Sequence, residues 1–306
     1  MDARFTRRSL IATTPLAASL AGTGAIAVPL RRSGSARRID DTQVAELLGD
    51  PAMRARVQAR VRGSCARETV PIFYRLDIYG FTGDGNIVPY FTLNHVSVNE
   101  WTPLPENLYE AKTFECGVYC RFGTDEALDE WVNPVTGETR KVWQFLGGPF
   151  TVVTGPDGLQ AKGAELTPQP ARMEAFGGQF FLTSSASMAR PNPTAPQDHP
   201  ELFSGTIAYW DTVSTVIVDT QDAFDDTLTS APAVCHFQNL GMWHPWMGMG
   251  KRQGRTYGRA IGTKLTSLDQ VPASARKTLE GKTPLIFDRA NWQAPLFDIP
   301  EYIKSL

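Results

Sequence analysis

The run Phe114-Glu115-Cys116-Gly117-Val118-Tyr119-Cys120-Arg121 holds the densest concentration of reactive side chains in the chain. Successive side chains of a strand point to opposite faces. On a strand, Glu115, Gly117, Tyr119 and Arg121 share one face, and Phe114, Cys116, Val118 and Cys120 share the other. The first face joins a carboxylate, a phenol and a guanidinium, which together can take a proton, give one and hold an anion. The plainer alternative is a structural ion pair or a solvated face, which contributes little. His244 lies between Trp243 and Trp246, ahead of a Met/Gly-rich stretch. An imidazole in such a wall stays neutral and can shuttle protons; otherwise it is a hydrogen-bonded packing residue. These positions give an expected acid–base set of Glu115, His244 and Tyr119.

A second group is expected to hold the reactant. His95 shares a strand face with Phe91, Leu93 and Ser97 and lines the pocket, or else is a satisfied core residue. Arg121, or Arg190 at a strand end before Pro191, holds a carboxylate or phenolate by a bidentate contact; the alternative for each is a salt bridge. Trp243, Trp246 and Tyr209 form stacking walls, although aromatic residues at strand spacing also fill cores. The four cysteines are Cys65, Cys116, Cys120 and Cys235. Cys116 and Cys120 on one strand stand about 13 Å apart, beyond the roughly 7 Å a disulfide tolerates, while each can meet a neighbouring strand. Zinc is disfavoured, because no second Cys pair or His-x3-His completes a ligand set. Nucleophile-elbow, P-loop, dinucleotide and H-E-x-x-H signatures are missing, so no organic cofactor or metal is expected.

Elements able to position these residues follow from the periodicity. Asp40 to Arg62 reads as helical, interrupted at Pro51, and packed on the outside of the main domain. From Pro71 the period becomes two. Ile72–Phe81 and Ile87–Val98 flank the turn Gly83-Asp84-Gly85-Asn86, and Leu108–Phe122 forms the next strand. Leu128–Trp131 and Glu138–Phe145 flank Asn133-Pro134-Val135-Thr136-Gly137, a suitable loop. Further strands are expected at 163–166, 179–189, 203–211, 214–218, 233–239 and 256–264, then a helix over 267–279 and a tail wrapping the barrel. Many strands with few crossover helices predict a mainly β, antiparallel, barrel-like domain of lipocalin or calycin type, with peripheral terminal helices.

The amino end carries Thr6-Arg7-Arg8-Ser9-Leu10-Ile11, a twin-arginine pattern, then a moderately apolar run closing on Ala25-Ile26-Ala27. Its Ala, Thr, Ser and Gly content favours a cleaved export signal over a membrane anchor. The expected organisation is a signal over 1–27, a linker and helix over 28–64, and one β-barrel-like domain over 65–306. The partners are the twin-arginine translocase during export and a hydrophobic small molecule afterwards, in the periplasm or another exported location. The chain has 30 basic and 32 acidic residues, a balance that offers no footprint for nucleic acid. No stable membrane span is expected after processing.

Two segments are distinctive: Trp131-Val132-Asn133-Pro134-Val135-Thr136-Gly137-Glu138, preceded by Glu115, and Trp243-His244-Pro245-Trp246-Met247-Gly248-Met249-Gly250-Lys251-Arg252, followed by Gly254, Gly258, Gly262, Lys264 and Leu265. Together they resemble the domain-of-unknown-function family DUF1838, over about residues 65 to 290. The resemblance implies family membership and brings no mechanism with it. From the residues themselves, the expected function is a cofactor-independent enzyme of lyase, isomerase or decarboxylase type, acting on a hydrophobic, aromatic small molecule. The alternative is a non-catalytic, lipocalin-like carrier.

Overall fold

The structure is a computed structural model that describes residues 39–161, 166–192, 199–202, 206–293 and 298–306. The segment expected to direct export, the basic stretch after it and the strand start expected at 163–165 lie outside the described residues. Among the described residues thirteen strands follow in chain order: β1 Glu68–Thr82, β2 Ile87–Leu104, β3 Leu108–Arg121, β4 Glu130–Val132, β5 Thr139–Lys141, β6 Phe145–Gly155, β7 Gly158–Ala161, β8 Leu166–Pro168, β9 Arg172–Phe176, β10 Gln179–Pro191, β11 Ile207–Asp219, β12 Val234–Gly241 and β13 Gly254–Lys264. The helices are α1 Asp41–Leu47, α2 Pro51–Arg62, α3 Thr220–Phe224, α4 Ala273–Lys282 and α5 Asp298–Lys304. The main sheet runs β7-β6-β3-β2-β1-β13-β12-β11-β10-β8, with β9 also on β10, and β4–β5 form a separate hairpin. The result is a mainly β, antiparallel, curled and barrel-like fold. Its two edges meet where the Ala171 amide donates to the Asp157 carbonyl at 3.0 Å.

The register fixes which side chains face inward. Tyr74 pairs with His95 and Gly262, His95 with Gly117, Gly262 with Cys235, and Cys235 with Val216. One face of the sheet therefore carries Tyr74, His95, Glu115, Tyr119, Cys235 and Phe237. The opposite face of β1–β3 carries Phe73, Val96, Val98, Phe114, Cys116, Val118 and Cys120. It is covered by α4 and the tail through Leu279, Ile286 and Trp292. All four cysteines are free.

Helix α2 departs from the outer position its sequence predicts. Its Val57 and Val61 pack on the inward residues Phe180, Leu182, Val216 and Val218. Its Ala55 and Ala59 pack on Trp101, Tyr109 and Ala111, inward residues of the opposite wall. The helix therefore plugs one end of the curl and touches both walls. Its polar side chains are compatible with burial because each has partners. Gln58 donates to the carbonyls of Gly155 and Pro156, both at 2.8 Å. Arg60, 1% exposed, donates to the carbonyls of Leu228 and Ala223 and to Asp226, at 2.8, 2.8 and 2.9 Å.

Three other differences have local causes. The β4–β5 hairpin is shorter than its pattern because Gln144 takes over the backbone partners: its Oε1 accepts from the Tyr119 amide at 2.8 Å, and its Nε2 donates to the Leu128 carbonyl at 3.0 Å. The chain then re-enters the sheet as β6. From Ile207 onward the strands expected at 203–211 and 214–218 form one unbroken strand, β11, and residues 203–205 lie outside the described residues. Helix α4 starts at Ala273 rather than near Ser267, because Val271 precedes Pro272 and a residue before proline avoids the helical region. Among the described residues, no helix is long and apolar enough to cross a membrane.

Replacing Arg60 by Ala leaves the carbonyls of Leu228 and Ala223 without these donors, while Asp226, 60% exposed, keeps Arg56 at 3.6 Å. A loss of about 3 kcal/mol is expected, read as a lower denaturant midpoint. A midpoint within error of the parent would exclude this role for the plug.

Candidate functional site

Between the α2 plug and the far end of the curl, inward side chains keep partial exposure: Arg62, Tyr74, Glu115, Phe145 and Phe237 are all half-buried. Their accessible surface lies on the inward face of the curl, and this partly accessible middle section is termed the chamber. On the β2–β3 wall, His95 Nε2 lies 3.1 Å from Glu115 Oε2. His95 is 7% exposed and its Nδ1 has no hydrogen-bond partner. Its ring lies 5.8 Å from that of Tyr74 and 5.4 Å from that of Phe145, and Tyr74 meets Phe237 edge-on at 5.4 Å. The chamber is thus an aromatic strip with a carboxylate–imidazole pair on one side.

Two glycines make room for this set. A Cβ on Gly147, which pairs with Glu115, would sit 3.1 Å from the Glu115 carboxylate. A Cβ on Gly262 would sit 2.4 Å from the Tyr74 ring. Tyr74 and Cys235 both pair with Gly262 on the inward face, which sets the phenol beside the thiol. Burial first, then Cys235 and Glu115, hold this phenol well above its usual range, with Arg62 offsetting part of the effect. Burial also pushes the Cys235 thiol up to about 11, so both groups are neutral proton donors at neutral pH.

Two cations enter from the α2 side. Arg62 donates to Ser184 Oγ on β10, and its Nε has no hydrogen-bond partner. Burial lowers its pKa to about 10, which still leaves it charged at neutral pH. Lys264 Nζ lies against the carbonyls of Arg60, Val61 and Gly63, at 2.8, 3.3 and 2.8 Å. Burial pushes its pKa down to about 7. Among the described residues, no cluster of three or more His, Cys, Asp and Glu side chains could hold a metal ion.

The other expected residues fall elsewhere. Tyr119 and His244 form a separate pair, Oη to Nε2 at 3.5 Å. Gly117 lies between Tyr119 and Glu115 along the inward face, so the two pairs stand apart. Tyr119 is packed by Phe91 at 4.9 Å and Trp246 at 5.2 Å. Trp243 and Trp246, 1% and 3% exposed, join Tyr90, Phe91 and Trp131 in an aromatic floor that closes the far end of the curl. Burial pushes His244 down to about 4. A neutral imidazole therefore faces the Tyr119 phenol.

Arg121 does not join the interior. It ends β3 and is 63% exposed, held by Glu126 at 2.9 Å. Its strand parity is right, but the strand has already left the chamber. Tyr209 has the wrong parity: Trp210 pairs with Gly241 on the inner face, so Tyr209 points out, under the Arg255 guanidinium at 5.5 Å. Arg190 lies on β10 opposite Ala208, and its side chain lies outside the described residues. Arg62, Tyr74 and Cys235 were missed. Tyr74 and Cys235 each had the strand-parity signal used for Glu115, while Arg62 read as an ordinary basic residue in a last helical turn.

The two distinctive segments touch in this floor. Asn133, fully buried, donates from Nδ2 to the Met247 carbonyl at 2.9 Å, and its Oδ1 accepts from the Val135 and Thr136 amides at 2.8 and 3.2 Å. The family described as "Protein of unknown function (DUF1838)" matches residues 68–295. The chain belongs to the DUF1838 family. In this member, the W-x-N-P-x-T-G-E turn and the W-x-P-W-M-x-M-G segment are two halves of one clasp. No curated protein matches the sequence. Among solved structures it is similar to "Crystal structure of the outer membrane enzyme PagL", at 7% identity and a TM-score of 0.26, over 65% of this chain and 100% of that one. That likeness is too slight to carry argument.

His244 sets a pH dependence. Its pKa falls from 6.5 in the unfolded chain to about 4 in the fold, so from pH 6.5 down to about 4 the unfolded state binds the extra proton. Stability is full above 6.5 and is lost as pH falls through that window, by about 3 kcal/mol at most. Denaturant melts of the parent and of His244→Phe are expected to diverge there, the variant losing less. Parallel curves would place His244 outside the acid response.

Proposed function

We propose that the DUF1838 chain is a cofactor-independent enzyme, of isomerase or lyase type, that moves a proton on an apolar small molecule held in the chamber. The observation that carries this reading is the 3.1 Å contact of His95 with Glu115, set against an aromatic strip in partly exposed interior space. Buried titratable groups that converge on one cavity are more often functional than structural.

In this reading Glu115 takes the proton from a carbon acid and His95 orients the carboxylate. The Tyr74 phenol, kept protonated by burial, donates a hydrogen bond to the oxygen where charge develops. The proton returns at another position in an isomerisation, or a leaving group departs with the electron pair in an elimination. Tyr119 and His244 serve as floor, not as acid or base.

Proton transfer leaves an isotopic signature that needs no named substrate. Purified protein is incubated in deuterium oxide with an apolar metabolite extract of the source cells and followed by mass spectrometry. One compound or a few are expected to gain one mass unit or convert to product with the parent chain, and to stay unchanged with Glu115→Gln of parent-like melting temperature. A compound retained on the protein but unchanged, or equal conversion by both chains, would exclude this mechanism; retention alone would mark a carrier.

The twin-arginine run at Arg7-Arg8 and the Ala25-Ile26-Ala27 end of the apolar segment support export as part of this proposal. Changing Arg7 and Arg8 together to Lys is expected to leave the full-length precursor in the cytoplasm, read by cell fractionation and intact mass. Processed protein outside the cytoplasm at the parent level would refute the route.

A further inference from the structure

The chamber holds a guanidinium that no carboxylate contacts among the described residues. Arg62 reaches in from the last turn of α2, and its hydrogen bond to the Ser184 hydroxyl fixes the guanidinium without neutralising it. No carboxylate forms an ion pair with it among the described residues. Its Nε–H is buried and has no acceptor. A partly buried cation without a counter-charge is costly to keep, and its buried Nε–H left without an acceptor adds to that cost. Arg60, two residues earlier, has three acceptors including Asp226. Arg62 lacks such a counter-charge and keeps part of its surface accessible, whereas Arg60 is 1% exposed.

The walls give this cation a direction. Ser184 lies on β10, while Glu115 and His95 lie on β3 and β2, six and five strands away in the sheet order and so across the curl. Tyr74 on β1 and Phe237 on β12 stand between, edge to face at 5.4 Å. The interior thus has a guanidinium on one wall, a carboxylate on the other, and aromatic surface between them.

We propose that the guest is an anion: an apolar or aromatic body bearing one carboxylate, which lies on Arg62 while the body lies along Tyr74 and Phe237 toward His95 and Glu115. A guanidinium fork matches a carboxylate in plane and in charge. A single one matches a single negative charge, since Lys264 is turned to the carbonyls of α2. The Glu115 carboxylate repels the anionic end, so the guest enters in one orientation, with the atom to be deprotonated at the His95 side. This inference rests on the chamber being a small-molecule site, and it holds whether or not the guest is transformed.

The test compares two probes of one shape, 2-naphthoate and 2-naphthamide, titrated calorimetrically into the full chain. The parent is expected to bind the acid at least about tenfold more tightly than the amide. Arg62→Gln is expected to abolish that preference while still binding the amide. Arg62→Lys keeps part of it, and Glu115→Gln keeps or increases it. Failure of the parent to bind the acid, or equal binding of acid and amide, overturns the proposal. So does a preference that survives in Arg62→Gln. Should Arg62→Gln not fold, Ser184→Ala replaces it, with a severalfold fall in the preference expected and an unchanged ratio overturning the assignment to Arg62. A chain that prefers the acid through Arg62 but moves no deuterium refutes the enzyme reading alone.

Discussion

The Lys264 ammonium against the last carbonyls of α2 is the contact on which the interior depends. A helix ends with carbonyls that have no partner within the helix, and here that end lies inside the curled sheet, away from bulk water. Lys264 meets three of them, from Arg60, Val61 and Gly63. It stands on β13, opposite Ile72 of β1 and near the middle of the strand order. The contact therefore joins the plug to the centre of the sheet rather than to an edge. It also sets the direction of the intervening residue, Arg62, whose guanidinium reaches Ser184 on the far wall. Without it the last turn of α2 would have to find other donors or turn toward water, and the charge in the chamber would move with it.

A curled sheet with apolar inward faces tends to fill itself. Here two plugs keep the walls apart. α2 packs on both walls at one end through small residues, Ala55 and Ala59 on one side and Val57 and Val61 on the other. At the other end Trp131, Trp243 and Trp246 form a floor that Asn133 locks by bonding both its own turn and the Met247 carbonyl. The section between them keeps inward side chains that are only half-buried. In such a section charges act through a lower effective dielectric than at the surface, so a lone guanidinium and a carboxylate–imidazole pair have long reach.

The strand pattern was legible because alternation states a face without needing a partner. It put Glu115 and Tyr119 on one face and Phe114, Cys116, Val118 and Cys120 on the other, which the structure covers with α4 and the tail. It failed where position along the strand matters more than parity, as at Arg121, which shares the parity of Glu115 but lies past the chamber. Tyr209 and Trp210 show the reverse: two adjacent aromatics, of which register alone decides which faces in. The pairing of His95 with Glu115 belongs to tertiary structure, since it needs the β2–β3 register and an empty Cβ position at Gly147. The depth of α2 was hidden for another reason. Gln58, Arg60 and Arg62 look like a solvated face until their acceptors are known, and those come from residues 97 or more positions away or, for Arg62, from the opposite wall.

Two His–acid pairs inside one barrel invite the question of which can meet a guest, and exposure answers it. The Glu115 side chain keeps 21% of its surface accessible beside His95, and the imidazole has an unused Nδ1. Tyr119 has no accessible surface at all, and a guest could touch its phenol only by displacing Phe91 or Trp246. The neutral state of His244 follows from the same packing, since burial alone depresses it. One pair is therefore placed to exchange protons with something that enters, and the other spends its hydrogen bond on closing the floor beneath it.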